Sequence, residues 1–246
     1  MNTRYLSKLL LIVSLFMFFS SVSAQEQKNI TDVKGLKQGV WEKKDDVGNL
    51  VYTGAFKDGK PEGEFVYYDS TGKMKAKTVF SENGTRAYTT LYKNGKKASE
   101  GLYINEKKQG VWKFYNDELV LLAEEIYENG TAEGIWKTYY ANGALFEEMP
   151  YQNGVKEGTW KQYFYDGPIK THGTYINGKL EGLATFYYPD GRIFISGPYV
   201  NNLKDGVWMH LDEKGVAEKR EIWKNGYLEA EEFYNKEQER MQKEEK

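Results

Sequence analysis

The feature that most constrains this chain is self-similarity with a period of 24 residues. A glycine recurs at Gly39, Gly63, Gly110, Gly134, Gly158, Gly182 and Gly206. The last five stand 24 apart, as do the first two, and the 47 residues from Gly63 to Gly110 hold two units with one residue lost. A second series is aromatic in every unit: Phe56, Phe80, Tyr103, Tyr127, Tyr151, Tyr175, Tyr199 and Trp223. Two series locked in phase define a tandem array of eight units. A unit this short has no room for a crossover helix, which parallel strands require. The copy from Gly134 to Gly158 carries Asn142-Gly143 and Asn153-Gly154, and Asn-Gly between alternating runs signals a hairpin. The expected fold is all-β: an elongated single-layer antiparallel meander of about eight 24-residue β-hairpin repeats over residues 39–227. The third unit is degenerate, since its first strand near Tyr88 to Tyr92 lacks both the opening Gly and a Trp.

Positions are counted from the opening Gly as zero. With a two-residue turn at Asn142-Gly143, position 2 pairs with position 15 and position 5 with position 12. A second two-residue turn centred on Val155-Lys156 sets Tyr151 opposite Trp160. Position 2 holds Trp41, Phe65, Trp112, Trp136, Trp160 and Trp208, and position 15 is Gly54, Gly101, Gly173 or Gly197 in four units. A ring is therefore expected over a cross-strand glycine. Side chains alternate between faces, so position 2 and the second-strand aromatic at position 17 form one structural ladder. Position 5 has the opposite parity and holds Tyr68, Tyr115, Tyr139, Tyr163 and Tyr187. In a single-layer sheet that stripe is the candidate partner-binding surface, because Tyr offers area, few rotors and a polar tip. The competing reading is a stripe that only stiffens the sheet beneath Lys and Glu stems.

The ends differ from the array. Arg4 and Lys8, the apolar run Leu9 to Phe19 and the small residues Val22-Ser23-Ala24 read as a signal peptide, 1–24, cleaved after Ala24. Export would leave the mature protein periplasmic, on the cell surface or secreted. Residues 25–38 read as an N-terminal half-repeat or cap. Residues 228–246 are rich in Glu and Lys without Gly or Pro, and predict a short C-terminal helix from about 228 to 240. The chain has no cysteine, so stability has to come from burial and backbone pairing. Removing Arg4 and Lys8 takes the net charge from −2 to −4, which argues against nucleic acid as a partner.

The segment Tyr52-Thr-Gly54-Ala-Phe56-Lys-Asp-Gly59-Lys-Pro-Glu-Gly63 resembles a MORN repeat, and Thr174-Tyr175-Ile-Asn-Gly178-Lys-Leu-Glu-Gly182 matches the later part of the same core. The Trp after the opening Gly and the period of 24 make it similar to the bacterial variant form, some of whose members are labelled antitoxin-like. The resemblance implies an open twisted β-sheet used as a scaffold for protein or lipid contacts, and no catalytic residues. The residues themselves agree. His172 and His210 sit in different units and read as surface or edge side chains, and no nucleophile motif, phosphate loop or metal-ligand spacing is present. No catalytic, cofactor or metal site is expected. The first functional reading is a non-enzymatic exported scaffold that binds a protein along one sheet face. A carbohydrate-binding protein using the Tyr stripe is the alternative. An anionic membrane drawn to Lys93, Lys96, Lys97, Lys107 and Lys108 ranks below both, as does an antitoxin-like immunity role.

Overall fold

The computed structural model describes residues 27–234; residues 1–26, which include the expected signal peptide 1–24, and residues 235–246 lie outside the described residues. From Ile30–Thr31 to Tyr227–Phe233, each strand pairs antiparallel with the strands before and after it in sequence. Among the described residues the first and last strands do not meet, so the 21 strand segments form one open meander. Several segments are parts of one strand interrupted by a bulge, as Val155–Lys156 is with Gly158–Tyr163.

The unit Gly134 to Gly158 shows how the sequence sets this geometry. Its hairpin loop has three residues, Ala141-Asn142-Gly143, rather than two. Tyr140 N donates to Ala144 O (2.8 Å) and Gly143 N to Tyr140 O (2.9 Å), with Gly143 at φ +86°. This is a type I turn followed by a left-handed glycine. Trp136 pairs with Met149 as expected, but the extra residue moves Tyr139 opposite Leu145, at position 11 rather than 12. The second turn is Asn153-Gly154 itself, with φ +52° and +83°. Both central residues are left-handed, the type I′ geometry that matches strand twist. Tyr151 consequently faces Lys156, not Trp160. Two residues later the register slips at Glu157-Gly158, so that Glu148 pairs with Lys161. The opening glycine is thus a bulge residue, at φ +67° in Gly134 and +107° in Gly158.

Leu119 breaks the loop pattern. It is left-handed at φ +63° and exposed, where the Gly134 unit has Gly143. A left-handed L-residue costs roughly 1–2 kcal/mol, so Leu119→Gly is expected to raise stability by about 1 kcal/mol after the entropy glycine loses on folding. A urea midpoint unchanged or lowered in that variant would remove the strain argument.

The degenerate third unit rearranges its backbone. Phe80 pairs with Ala87 and the register runs unbroken to Ala76 and Leu91, so the bulge is gone. The residues it uses elsewhere sit instead in a four-residue loop containing the 3-10 turn Glu82–Gly84. The one residue missing from the period is lost at Asn94-Gly95, a two-residue turn where the equivalent hairpins of the other units have three-residue loops.

The expected C-terminal helix is overturned within the described residues: Tyr227–Phe233 is a strand that pairs with Ala217–Lys224. Asn225-Gly226 is left-handed at both residues, so the turn folds the chain back onto the sheet. Edge pairing outweighs the helix propensity of Glu and Ala, since propensity is a weak prior that tertiary context overrides. Glu229, Glu231 and Glu232 then give the sheet a charged edge, which discourages further strand addition.

Candidate functional site: two ladders and a missing rung

On one face, the position-5 tyrosines close onto the preceding hairpin at a fixed offset. Tyr115 OH donates to Glu100 Oε1 (2.6 Å), Tyr139 OH to Glu124 Oε2 (2.9 Å) and Tyr163 OH to Glu148 Oε2 (2.8 Å), while Tyr187 OH lies 3.1 Å from His172 Nδ1. Tyr68 has Thr53 at that offset and meets no carboxylate there. All five are half-buried. Lys113 and Lys137 flank the same carboxylates, 3.6 Å from Glu124 and 3.9 Å from Glu148. Neither histidine is a free surface group: His172 belongs to this ladder, and His210 Nε2 lies 3.2 Å from Glu221 with a side chain 17% exposed. Burial, then the hydrogen-bonded carboxylate, pushes the phenols of Tyr139 and Tyr163 up to about 12. The unfolded chain ionises first, so this contribution to stability is complete below about pH 10 and lost as pH rises towards 12. An ultraviolet titration should show these two phenols ionising late, and Tyr139→Phe/Tyr163→Phe should shrink the late component by two phenols, leaving Tyr115 and Tyr127, which burial and Glu100 or Glu125 also raise. Early ionisation of all tyrosines would contradict the ladder.

The other face carries the tryptophans. Phe65 stands between Phe56 and Phe80, with ring centroids 5.2 and 5.0 Å away, and Trp136 between Tyr127 and Tyr151 at 5.3 and 4.5 Å. Tyr103–Trp112 at 4.8 Å, Trp160–Tyr175 at 6.1 Å, Tyr199–Trp208 at 5.0 Å and Trp41–Phe56 at 6.0 Å continue the series. Position 15 glycines do lie beneath rings, but beneath the ring of the following unit. Gly54 is covered by Phe65, Gly101 by Trp112 and Gly197 by Trp208. The bulge turns each ring back over the preceding strand, where the indole N–H of Trp112 and Trp208 donates to Leu102 O and Pro198 O, both at 3.1 Å. These three rings are at most 2% exposed, although the sheet is a single layer. Trp136 and Trp160, whose preceding position 15 is Glu125 or Met149, are only half-buried. Lysines at position 22 roof the rings: Lys108 Nζ is 4.6 Å from the Trp112 centroid and 4.4 Å from that of Tyr127, and Lys204 roofs Trp208 and Trp223. Trp223 Nε1 in turn donates to Glu221.

At the third unit the ladder loses a rung. Thr89 occupies the position of the Trp and Thr78 that of the glycine beneath it; their hydroxyls are 3.0 Å apart and both residues are buried. The ring left out is matched by a cavity of about 550 Å³ lined by Tyr67, Phe80, Tyr103 and the two threonines. Thr85, Pro61 and Glu106 are also part of its wall, with no roofing lysine among the lining residues. The sequence marked this unit as degenerate; the cavity follows from side-chain volumes that only the register brings together.

These features define a class, the open antiparallel array of hairpin repeats. More specifically, the MORN repeat variant matches residues 61–82, 132–153 and 156–177, and the MORN repeat matches 172–191. These stretches, about a third of the chain, are similar to MORN repeats. No curated protein matches it. Among solved structures, a point mutant of TarM from S. aureus aligns at 20% identity and a TM-score of 0.31, over 39% of this chain and 19% of that one. A second TarM structure aligns at 18% identity and 0.30, over 38% and 20%, so the matched part spans about a fifth of the TarM chains. A porin-like protein from Bacteroides uniformis aligns at 8% identity and 0.20, over 74% of this chain and 88% of that one. Among the described residues, no helix is long and apolar enough to cross a membrane.

Proposed function

We propose that this MORN-repeat array is a non-enzymatic exported scaffold that binds another protein along a long face of its sheet. One observation carries the reading. On the face shared with the tyrosines, position 1 presents Val111, Ile135, Leu183 and Val207, which are 48, 48, 60 and 46% exposed. Their cross-strand partners Ile126, Pro150, Pro198 and Ile222 widen the row. At about 4.8 Å per strand the row from Val111 to Val207 runs for roughly 40 Å. An exposed row of this length, apolar except for the Thr159–Thr174 pair in its middle and with Lys and Glu beside it, suits an extended protein partner. The position-5 tyrosines support this surface rather than form its tips, since four of their hydroxyls are already engaged. That weakens the carbohydrate reading. The lysine patch is also partly spent: Lys97 is 2.5 Å from Glu100, and Lys108 lies over rings. Export rests on the sequence of residues 1–24.

The test is affinity capture from the envelope fraction with residues 25–246, beside an Ile135→Lys/Leu183→Lys variant. The reading expects one partner retained by the native protein and lost by the variant. Glycan-array binding without a protein partner, or capture indifferent to the variant, would overturn it.

A further inference from the structure

We infer that the missing rung at Thr89 is a binding slot for an aromatic side chain supplied by a partner protein. The inference rests on the scaffold reading and names the chemistry of one contact. Phe56 meets a ring on either side, Trp41 at 6.0 Å and Phe65 at 5.2 Å. Phe80 meets Phe65 at 5.0 Å and Tyr103 meets Trp112 at 4.8 Å, and the place between Phe80 and Tyr103 is held by Thr89. Both rings therefore lack the same neighbour. The Gly182 unit is the internal control. Its position 2 is Ala184, also too small to be a rung, yet Ala184 is 0% exposed, with buried Leu180 beside it against Gly173. The third unit has no such filler, and its cavity remains. A planar ring entering there gains edge-to-face contacts with two aromatic walls. The Thr78 and Thr89 hydroxyls at its floor accept an indole N–H or pair with a phenol. With Thr85 where a roofing lysine would stand, the slot stays open, and Glu106 on its wall favours a basic residue next to the inserted ring.

The test uses residues 25–246 and small probes: indole and 4-methylphenol, with cyclohexanol as the aliphatic control and cellobiose as the sugar arm. The readout is the methyl resonances of Thr78 and Thr89, which ring currents displace. Saturable shifts with indole or 4-methylphenol, and none with cyclohexanol, are the expected result. Thr78→Gly/Thr89→Trp rebuilds the rung on the Gly101/Trp112 pattern and should abolish the shifts, as should the simpler Thr89→Leu if the double variant does not fold. In the variants, fluorescence or any remaining Thr methyl near the slot reports the loss. Shifts with cellobiose alone, equal shifts with cyclohexanol, or no saturable shift with any probe would overturn the inference. The scaffold reading would be untouched by those results, because its own test varies Ile135 and Leu183. A captured partner that binds the filled variant with unchanged affinity would likewise remove the slot but not the scaffold.

Discussion

Gly101→Ala is expected to destabilise the array by about 2–3 kcal/mol, the upper part of the range for overpacking a filled site. A Cβ at Gly101 would stand 2.3 Å from Trp112 Cδ2 and 2.4 Å from Cε2. The ring has nowhere to move. Its N–H is committed to Leu102 O at 3.1 Å, Tyr103 abuts it at 4.8 Å and Lys108 roofs it at 4.6 Å. Gly173 gives the contrast at the same repeat position. There the nearest atom to a new Cβ is Leu180 Cδ1 at 3.0 Å, the end of a side chain that can rotate, and Trp160 lies 3.5 Å off. Gly173→Ala should therefore cost under about 1 kcal/mol. Urea midpoints of the two variants decide the matter, and equal losses would show that glycine here is not serving ring access. Trp112→Leu should lessen the further cost of Gly101→Ala, since the double-mutant coupling between touching residues is not zero. Each unit contacts only its neighbours, so the lesion is expected to loosen the hairpins around Gly101 before the ends of the array.

The repeat made the hairpins, their order and the two-column alternation legible, because period 24 and the Asn-Gly turns act locally. Trp136 opposite Met149 followed directly. What sequence reasoning missed comes from one extra or absent residue at a time. Ala141 joins the loop and moves Tyr139 to Leu145; the turn at Asn153-Gly154 leaves Tyr151 facing Lys156, and Gly158 then slips the register. Neither changes the composition of the unit, so neither leaves a pattern to read. The direction in which Trp112 leans was hidden for the same reason, since pairing alone does not say which neighbouring strand a bulged ring covers. The tail after Asn225-Gly226 was misread because helix propensity is a property of the segment, whereas an open sheet edge is a property of the fold. The row at position 1, with Val111, Ile135, Leu183 and Val207, was not singled out, because its exposure depends on no second layer covering that face.

Glu221 carries the second large expectation, a loss of stability in acid that a single substitution should pre-empt. Its carboxylate is 9% exposed. Lys219 Nζ stands at 2.5 Å, Trp223 Nε1 at 2.8 Å, His210 Nε2 at 3.2 Å and Lys204 Nζ at 3.5 Å. Burial alone would raise its proton affinity, but the hydrogen bonds from Lys219 and Trp223, with the His210 ring close by, outweigh it and hold the carboxyl at about 2, against an ordinary 4.5. The unfolded chain binds the proton first, so this contribution is complete above about pH 4.5 and is lost as pH falls towards 2. Glu221→Gln keeps the volume and the acceptor for Trp223 but leaves Lys204 and Lys219 without their central anion, although Glu231 remains 3.8 Å from Lys219. Hydrogen bonds to charged groups contribute about 1.5–3 kcal/mol each, and the lysines are partly solvated, so a total loss of about 2 kcal/mol at pH 7 is expected. The loss should fall on the last two hairpins, where hydrogen exchange of Ile222 and Trp223 amides reads it. Between pH 4.5 and 2 the variant should lose less further stability than the native protein. Parallel acid curves for the two proteins would place the acid sensitivity elsewhere and leave Glu221 as a packing residue only.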